Sequence, residues 1–561
     1  MDIIENPKSE IRNPKFAEIS RIGKRYWISI VLSIIILASF LLMITSARYD
    51  SLTVDEKVHI SAGYLHVFKG NYTFNTEHPP LLNDLAGLFA KIAKPNLPER
   101  SLATFKGSDQ WEYGDLFFYY SGNNVDKIIF WSRLPFILLT LALIYLVFYW
   151  AKALFGEKAG LMAAILVAFC PNILAHGRLT TTDMGLTFFF ILALWLLRKY
   201  MLKPNWQNSL ILGLGIFLAV GSKFSGIFIL PVVFLGLIFT WITRKRTFGQ
   251  FFGEFFLMLG VALVLFWGLY FFSTREYLMN LPSSYQLSSM LGSHVISSGF
   301  LKVILIPIDK FSQGYEILTN HNSVGHWAYL NGQTDYRGWW YYFPLTLIYK
   351  LTVPALMLIG LAIVTSIKIH KKFLEEFLVI FPLLLFLGVS LTSKIDIGIR
   401  HILPVVVLLF IFTSRLAEVK NLILKPIIAG LLILHIVAGF LAYPNFIAYF
   451  NQIAGGENGG SKHLADSNLD WNQNIKRFAK YARENNIDKI SELCWDQTSF
   501  QYYGVQSEIL PNSPTPSVVA ICVQQLLVPP AGFDFSWVTK NPPDTIIGNT
   551  IYVWRYDLKS P

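Results

Sequence analysis

Cysteine and charge are what this chain has least of. Three cysteines in 561 residues exclude a scaffold built on disulfides. Cys170 falls inside an apolar run, and only Cys494 and Cys522 lie in a polar region where oxidation could reach them; buried free thiols are the plainer expectation. Charged residues are 15% of the chain against 53% hydrophobic and 15% aromatic, where ordinary soluble domains carry roughly a quarter charge. That excludes a soluble protein and points to a polytopic membrane protein. The chain also lacks internal repeats, low-complexity tracts and lipidation motifs at either end. Lys and Arg number 47 against 36 Asp and Glu, a net +11. These cations cluster briefly between apolar runs, so no nucleic-acid partner is expected.

Long hydrophobic runs are what the chain has instead. At about 20 apolar residues per crossing, eleven candidate helices lie near 26–46, 128–150, 158–175, 184–202, 207–221, 224–243, 252–272, 344–367, 374–391, 400–416 and 426–444. The segments around 207–243 are interrupted by Gly221-Ser222-Lys223. With the 1–25 tail in the cytoplasm, inner segments carry Lys8, Arg12, Lys15, Arg21, Lys24 and Arg25. They also carry Lys152, Lys158, Arg198, Lys199, Lys203, Arg244-Lys245-Arg246, Lys368, Lys371, Lys372, Arg415, Lys420 and Lys425. Short outer turns hold only Arg178, Lys223, Lys394 and Arg400, the asymmetry that orients membrane proteins. The first run is too long for an ordinary signal peptide and reads as an uncleaved anchor in the plasma membrane. Eleven crossings leave the C-terminus outside.

Two outer segments, 50–127 and 273–343, far exceed connector length and should hold helices of their own. They belong to a mainly helical membrane domain over 26–444. Beyond Pro444 the composition turns polar, and the run Gly455-Gly456-Glu457-Asn458-Gly459-Gly460 suggests a hinge. A helix is expected at Ile475–Glu484 and strands at 517–523 and 550–555, making 445–561 a small outer α/β domain.

Chemistry concentrates just past the first crossing. Thr53-Val54-Asp55-Glu56 fits a capping box, with Glu56 as the third helical residue. Val54, Val58, Ser61, Leu65 and Phe68 trace an apolar stripe, so 54–69 is expected to lie on the membrane as an amphipathic helix. Asp55 sits off that stripe with His59 one turn later. Glu77-His78-Pro79-Pro80-Leu81 follows; its prolines can open a second surface helix carrying Leu81, Leu85, Leu88 and Phe89. Glu77 and His78 contribute nothing to such a helix, which makes them candidates for chemistry.

These motifs resemble the bacterial phospholipid-carrier-dependent glycosyltransferases, relatives of the protein O-mannosyltransferases and the aminoarabinose transferases, with the GT-C fold (family 39). The resemblance continues through Thr182-Asp183, Gly221-Ser222-Lys223-Phe224, the run from Gly338 to Pro344, Ile397 to Pro404, Tyr449-Phe450-Asn451 and Asp466 to Trp471. It covers most of 27–475, and its specificity lies in the motif order. It implies that a polyprenyl-phosphate-linked sugar is moved to an acceptor hydroxyl on a protein, lipid or cell-envelope glycan at the outer membrane face, with inversion. Asp55, beside Glu56, would be the catalytic base.

A departing phosphate needs cations or a metal nearby. In this topology His176, Arg178, Asp183, Lys223, Arg400 and His401 all fall on the outer face, with Glu77 and His78, as candidate donor-phosphate or substrate ligands. If a divalent cation takes part, the resemblance assigns it to Glu77; His78 stands where aminoarabinose transferases usually carry Lys. Trp339 to Phe343 reads first as an interfacial aromatic belt. Asn472 and Asn474 depart from the Gly and Asp common in the family, which argues against a substrate role for the outer domain. The rival reading is a transporter or flippase for a charged lipid. Such proteins favour internal repeats and midplane charges, and here only Lys350 lies midspan. Single cysteines placed at Ser108 and Ser513, in a chain without native cysteines, should both react with an impermeant thiol reagent on intact cells. Protection at Ser513 alone would mean a miscounted crossing.

Overall fold

A computed structural model describes residues 14–280, 283–366 and 373–556. Lys8, Arg12, Lys368, Lys371 and Lys372 lie outside the described residues. Every expected crossing is helical, but not every one is a straight span. Seven helices among the described residues are long and apolar enough to cross a membrane: Tyr26–Ala47, Val125–Phe155, Thr182–Leu202, Phe224–Thr243, Phe248–Ser273, Ile399–Glu418 and Leu424–Leu441. The expected span 158–175 is a pair, Glu157–Ala168 and Pro171–Gly177, bent by 64°, and 344–367 is Tyr342–Lys350 with Val353–Ser366, bent by 117°. Trp206–Ser222 and Glu376–Ser390 are shorter apolar helices. The chain is thus a multi-span membrane protein in which four expected crossings are bent or short.

The sharper bend explains the midspan lysine. Backbone groups freed at a break must find partners when water is excluded. Asn451 Nδ2 donates to the carbonyls of Ile348 and Leu351 at 2.5 and 2.6 Å. Lys350 Nζ donates to the carbonyls of Ile447, Tyr449 and Asn468 at 2.8, 2.6 and 2.7 Å. Lys350 therefore clamps irregular backbone rather than marking a transport path.

In the first outer segment, helix Val54–Lys69 forms with its capping box intact. It does not lie on the membrane: Glu56 to His66 are buried without interruption. Its partner is helix Pro80–Ala90, which buries Leu82, Asn83, Ala86, Gly87 and Ala90 and leaves Leu88 half exposed. The expected leucine stripe is thus not the packing face. Glycine decides this, since a Cβ on Gly63 would stand 1.7 Å from the Asn83 carbonyl oxygen, and one on Gly87 2.2 Å from the Gly63 carbonyl carbon. Period alone finds leucines and overlooks a face made for backbone contact. The segment 273–343 holds helix Gly299–Val324 and two short hairpins, Tyr285–Gln286 with Val295–Ile296 and Ala328–Leu330 with Gln333–Asp335.

The C-terminal domain is a five-stranded mixed sheet in the order Gln506–Ile509, Lys489–Leu493, Ser517–Cys522, Ile551–Tyr556 and Thr545–Ile547. Helix Ile475–Glu484 forms as expected. Cys494 and Cys522 are joined in a disulfide, against the free-thiol expectation. The parallel register that pairs Leu493 with Ile521 brings the next residue of each strand side by side, which spacing along the chain does not show. The glycine-rich run is a packed turn rather than an open hinge, for a Cβ on Gly460 would meet the Phe450 ring at 2.2 Å. The domain docks onto the first outer segment through Lys57 to Asp496 at 2.8 Å, Arg477 to Asp50 at 3.0 Å and the Tyr503 hydroxyl to Asp126 at 3.0 Å. Gly63→Ala should prevent this packing, measured as loss of folded protein in detergent size-exclusion chromatography; a monodisperse, normally abundant variant would contradict the close crossing.

Candidate active site

The capping box sets the site's geometry. Thr53 N–H donates to Glu56 Oε2 at 3.1 Å, and Glu56 turns inward to Arg133. The guanidinium meets both carboxylate oxygens, Nε to Oε1 at 2.8 Å and Nη2 to Oε2 at 2.6 Å. Arg133 also donates to the carbonyls of Ala47 and Ser51, each at 2.8 Å, and the Thr180 N–H donates to Glu56 at 2.8 Å. Burial pushes the Glu56 carboxyl up, but Arg133 and these donors outweigh it and hold the group below the usual carboxylate range. Glu56 does not reach the cavity described next; it ties three elements together. Its neighbour Asp55 consequently faces the other way.

Asp55 lines a cavity of about 920 Å³ that Glu77, His78, Lys223, Arg400 and His401 also line. Six of the ten sequence candidates are thereby brought together. Asp55 Oδ2 accepts from Arg400 Nη1 at 2.8 Å. The same nitrogen lies 3.5 Å from Asp183 Oδ2, and Asp183 Oδ1 accepts from Lys223 Nζ at 2.6 Å. Asp183 does not line the cavity. It is buried behind the two cations and draws together residues from separate segments. Arg400 is fixed further by Ser467 Oγ, 2.9 Å from its Nε, and by the Trp471 ring, 4.3 Å below its guanidinium carbon. The Asp466–Trp471 run, one of the motifs of the resemblance, therefore supports the site from behind.

His78 Nδ1 and His401 Nε2 are buried without a hydrogen-bond partner among the described residues. Burial, then the neighbouring His59 and Lys223, pushes the His78 imidazole well below its ordinary range, so it is neutral. Two further candidates are turned away. Arg178 pairs with Asp50 at 2.7 Å and lies against the Phe446 ring at 5.3 Å, at the root of the C-terminal domain. His176 is buried with its ring 6.1 Å from that of Trp471. Within the aromatic run, Trp340 is exposed and Phe343 buried; Phe343 lines the cavity.

Glu77 is held by neighbouring amides. Its Oε1 accepts from the amides of Asn75 at 3.2 Å and Gln110 at 3.0 Å, and among the described residues no group of three or more His, Cys, Asp or Glu is placed to hold a metal ion. Sequence reasoning gave no role to His59, Asn75 or Gln110, nor to His321 and His326 of the second outer segment, all of which line the cavity. Only His59, one turn from Asp55, carried a signal. Phe224, Ile227, Phe228, Phe386 and Val389 make another part of the lining apolar. Arg133→Ala should cost about 3–5 kcal/mol by leaving Glu56 charged and buried, read as a lowered Tm in detergent. The double replacement Glu56→Leu, Arg133→Met should recover most of that loss; no recovery would mean the pair is not the source of the stability.

Residues 120–270 match the family model described as dolichyl-phosphate-mannose-protein mannosyltransferase. No curated protein matches the chain. Among solved structures, the chain is similar to ArnT from Cupriavidus metallidurans bound to undecaprenyl phosphate, at 11% identity and TM-score 0.50 over 93% of this chain and 97% of that one. It also matches the S. cerevisiae protein O-mannosyltransferase Pmt1-Pmt2 complex bound to its sugar donor, at 18% identity and TM-score 0.35, over 45% of this chain and only 34% of that one. The Archaeoglobus fulgidus oligosaccharyltransferase in complex with Zn and sulfate matches at 12% identity and TM-score 0.41, over 94% and 74%.

Proposed function

We propose that this chain, a glycosyltransferase of the GT-C superfamily by its family match and its fold, moves a sugar from a polyprenyl-phosphate donor to an acceptor hydroxyl with inversion at the anomeric carbon. One observation carries the reading: a carboxylate, Asp55, and two cations, Lys223 and Arg400, line one cavity that is partly apolar. Direct displacement requires a base for the nucleophile and positive charge for the leaving phosphate. The apolar lining from Phe224 to Phe228 suits the first units of a prenyl chain, and the similar ArnT was crystallised with undecaprenyl phosphate.

In this reading Asp55 takes the proton of the acceptor hydroxyl as its oxygen attacks the anomeric carbon. The bond from that carbon to the phosphate oxygen breaks, its electron pair leaves with the phosphate, and Lys223 and Arg400 meet the added negative charge. His78 and His401, with unpartnered ring nitrogens, offer further hydrogen bonds there. The positive-inside pattern puts the N-terminus in the cytoplasm and the cavity and C-terminal domain at the outer face of the plasma membrane. The acceptor is a hydroxyl on protein, lipid or envelope glycan.

Asp55→Asn should lower turnover by roughly a hundredfold or more, the usual share of a positioned base, with donor binding changed far less. The assay is release of free polyprenyl phosphate from a lipid-linked sugar by purified protein in detergent, dependent on acceptor. Near-normal release by folded Asp55→Asn would remove the assigned role. No release from any donor, with sealed vesicles showing movement of the same lipid, would replace transferase by flippase.

A further inference from the structure

Part of the cavity wall is held by hydrogen bonds between side chains rather than by ion pairs. His59 Nδ1 lies 2.8 Å from Asn83 Oδ1, Asn83 Nδ2 donates to Asn75 Oδ1 at 2.7 Å, and Asn75 Nδ2 donates to Glu77 Oε1 at 3.2 Å. Gln110 closes the chain, its Nε2 donating to the same Glu77 oxygen at 3.0 Å while its Oε1 accepts the Asn75 N–H at 2.9 Å. The directions are mutually fixed. Because the Asn83 amide nitrogen is committed to Asn75, its oxygen must accept from His59, which places a proton on Nδ1; in the neutral ring Nε2 is then the acceptor. Each link orients the next until two amide donors converge on one oxygen of Glu77, leaving Oε2 without a donor in that chain. His59, Asn75, Glu77 and Gln110 all line the cavity.

This wall therefore presents acceptors: Oε2 of a carboxylate whose other oxygen is held by two amides, and Nε2 of the neutral His59 ring. No salt bridge to Glu77 is formed among the described residues, whereas the cavity's cations Lys223 and Arg400 are engaged by Asp183 and Asp55. Acceptors held this way select groups that bring protons, and they reject carboxylates. Resting on the transferase reading above, we propose that His59, Asn83, Asn75, Glu77 and Gln110 form the subsite for the donor sugar, selecting a neutral or amino sugar by its hydroxyl or amino hydrogens and excluding uronic acids. Glu77 and His59 touch the sugar; Asn75, Asn83 and Gln110 are positioning residues.

Equilibrium binding to the purified full chain tests this without requiring turnover. The probes are undecaprenyl phosphate alone, the same carrier bearing a neutral hexose, and the carrier bearing a hexuronate. Wild type should prefer the neutral sugar to the uronate by about tenfold or more, the worth of a charged hydrogen bond kept or left unmade. Glu77→Gln should erase most of that preference while leaving the bare carrier's affinity intact, which also reports that the variant is folded. Asn83→Ala should shift the preference in the same direction by freeing the His59 tautomer. The proposal fails if wild type binds the two sugars equally, or if Glu77→Gln weakens the bare carrier as much as the sugar-bearing lipids. Sugar preference without any release of polyprenyl phosphate would overturn the transferase reading alone, and Asp55-dependent release without sugar preference would overturn this subsite alone.

Discussion

The buried pair of Glu56 and Arg133 is the constraint on which the site's arrangement depends. Successive residues on a helix point about 100° apart, so driving Glu56 into the protein turns Asp55 toward the cavity. The pair also fixes where the helix begins. Arg133 gathers the carbonyls of Ala47 and Ser51, at the end of the first crossing and the loop beyond it, while Glu56 accepts from Thr180 in the turn before the helix bearing Asp183. Three elements distant in sequence are thereby referred to one carboxylate. Such a pair adds little net stability over apolar packing, but losing one partner is costly. Its contribution is geometric.

The C-terminal half supports the same geometry from the other side. Asn468 accepts the Ile399 N–H through its side chain at 3.0 Å and donates to the Tyr342 hydroxyl at 2.9 Å. Ser467 Oγ donates to the Ile397 carbonyl at 2.6 Å while bracing Arg400. The segment opening the C-terminal domain is therefore part of the frame that holds Arg400, and Lys350 joins it to the broken helix through the Asn468 carbonyl. A polar residue midway along an apolar run here satisfies backbone that the bend has exposed.

How much of this could be read from the sequence follows from range. Features set within one turn were legible: the capping box at Thr53, the helix at Ile475–Glu484 and the apolar runs themselves. Motif order also brought Asp55, Glu77, His78, Lys223, Arg400 and His401 forward as one group, and they do line one cavity. What failed needed knowledge of a partner. The role of Glu56 depends on Arg133, 77 residues away, and the disulfide on a strand register. The face of helix Pro80–Ala90 depends on a backbone crossing at glycines, where a leucine stripe is the stronger local signal. Bends at Thr352 and Cys170 are invisible to a count of apolar residues, since composition fixes length and not direction.

The charges of the cavity also couple the two halves of the proposed reaction. Arg400 is shared between Asp55 at 2.8 Å and Asp183 at 3.5 Å, and Lys223 already belongs to Asp183. Before reaction, Arg400 is held closest by Asp55, the carboxylate proposed as base. Once Asp55 accepts the acceptor's proton it loses its charge, and the strongest claim on Arg400 disappears at the moment when negative charge grows on the phosphate. The guanidinium cannot itself give up a proton at neutral pH, so its response is to transfer its hydrogen bonds. Trp471 beneath it and Ser467 beside it keep it in place while the partner changes, so little reorganisation is needed. Proton removal at one end of the cavity thus releases positive charge for the other.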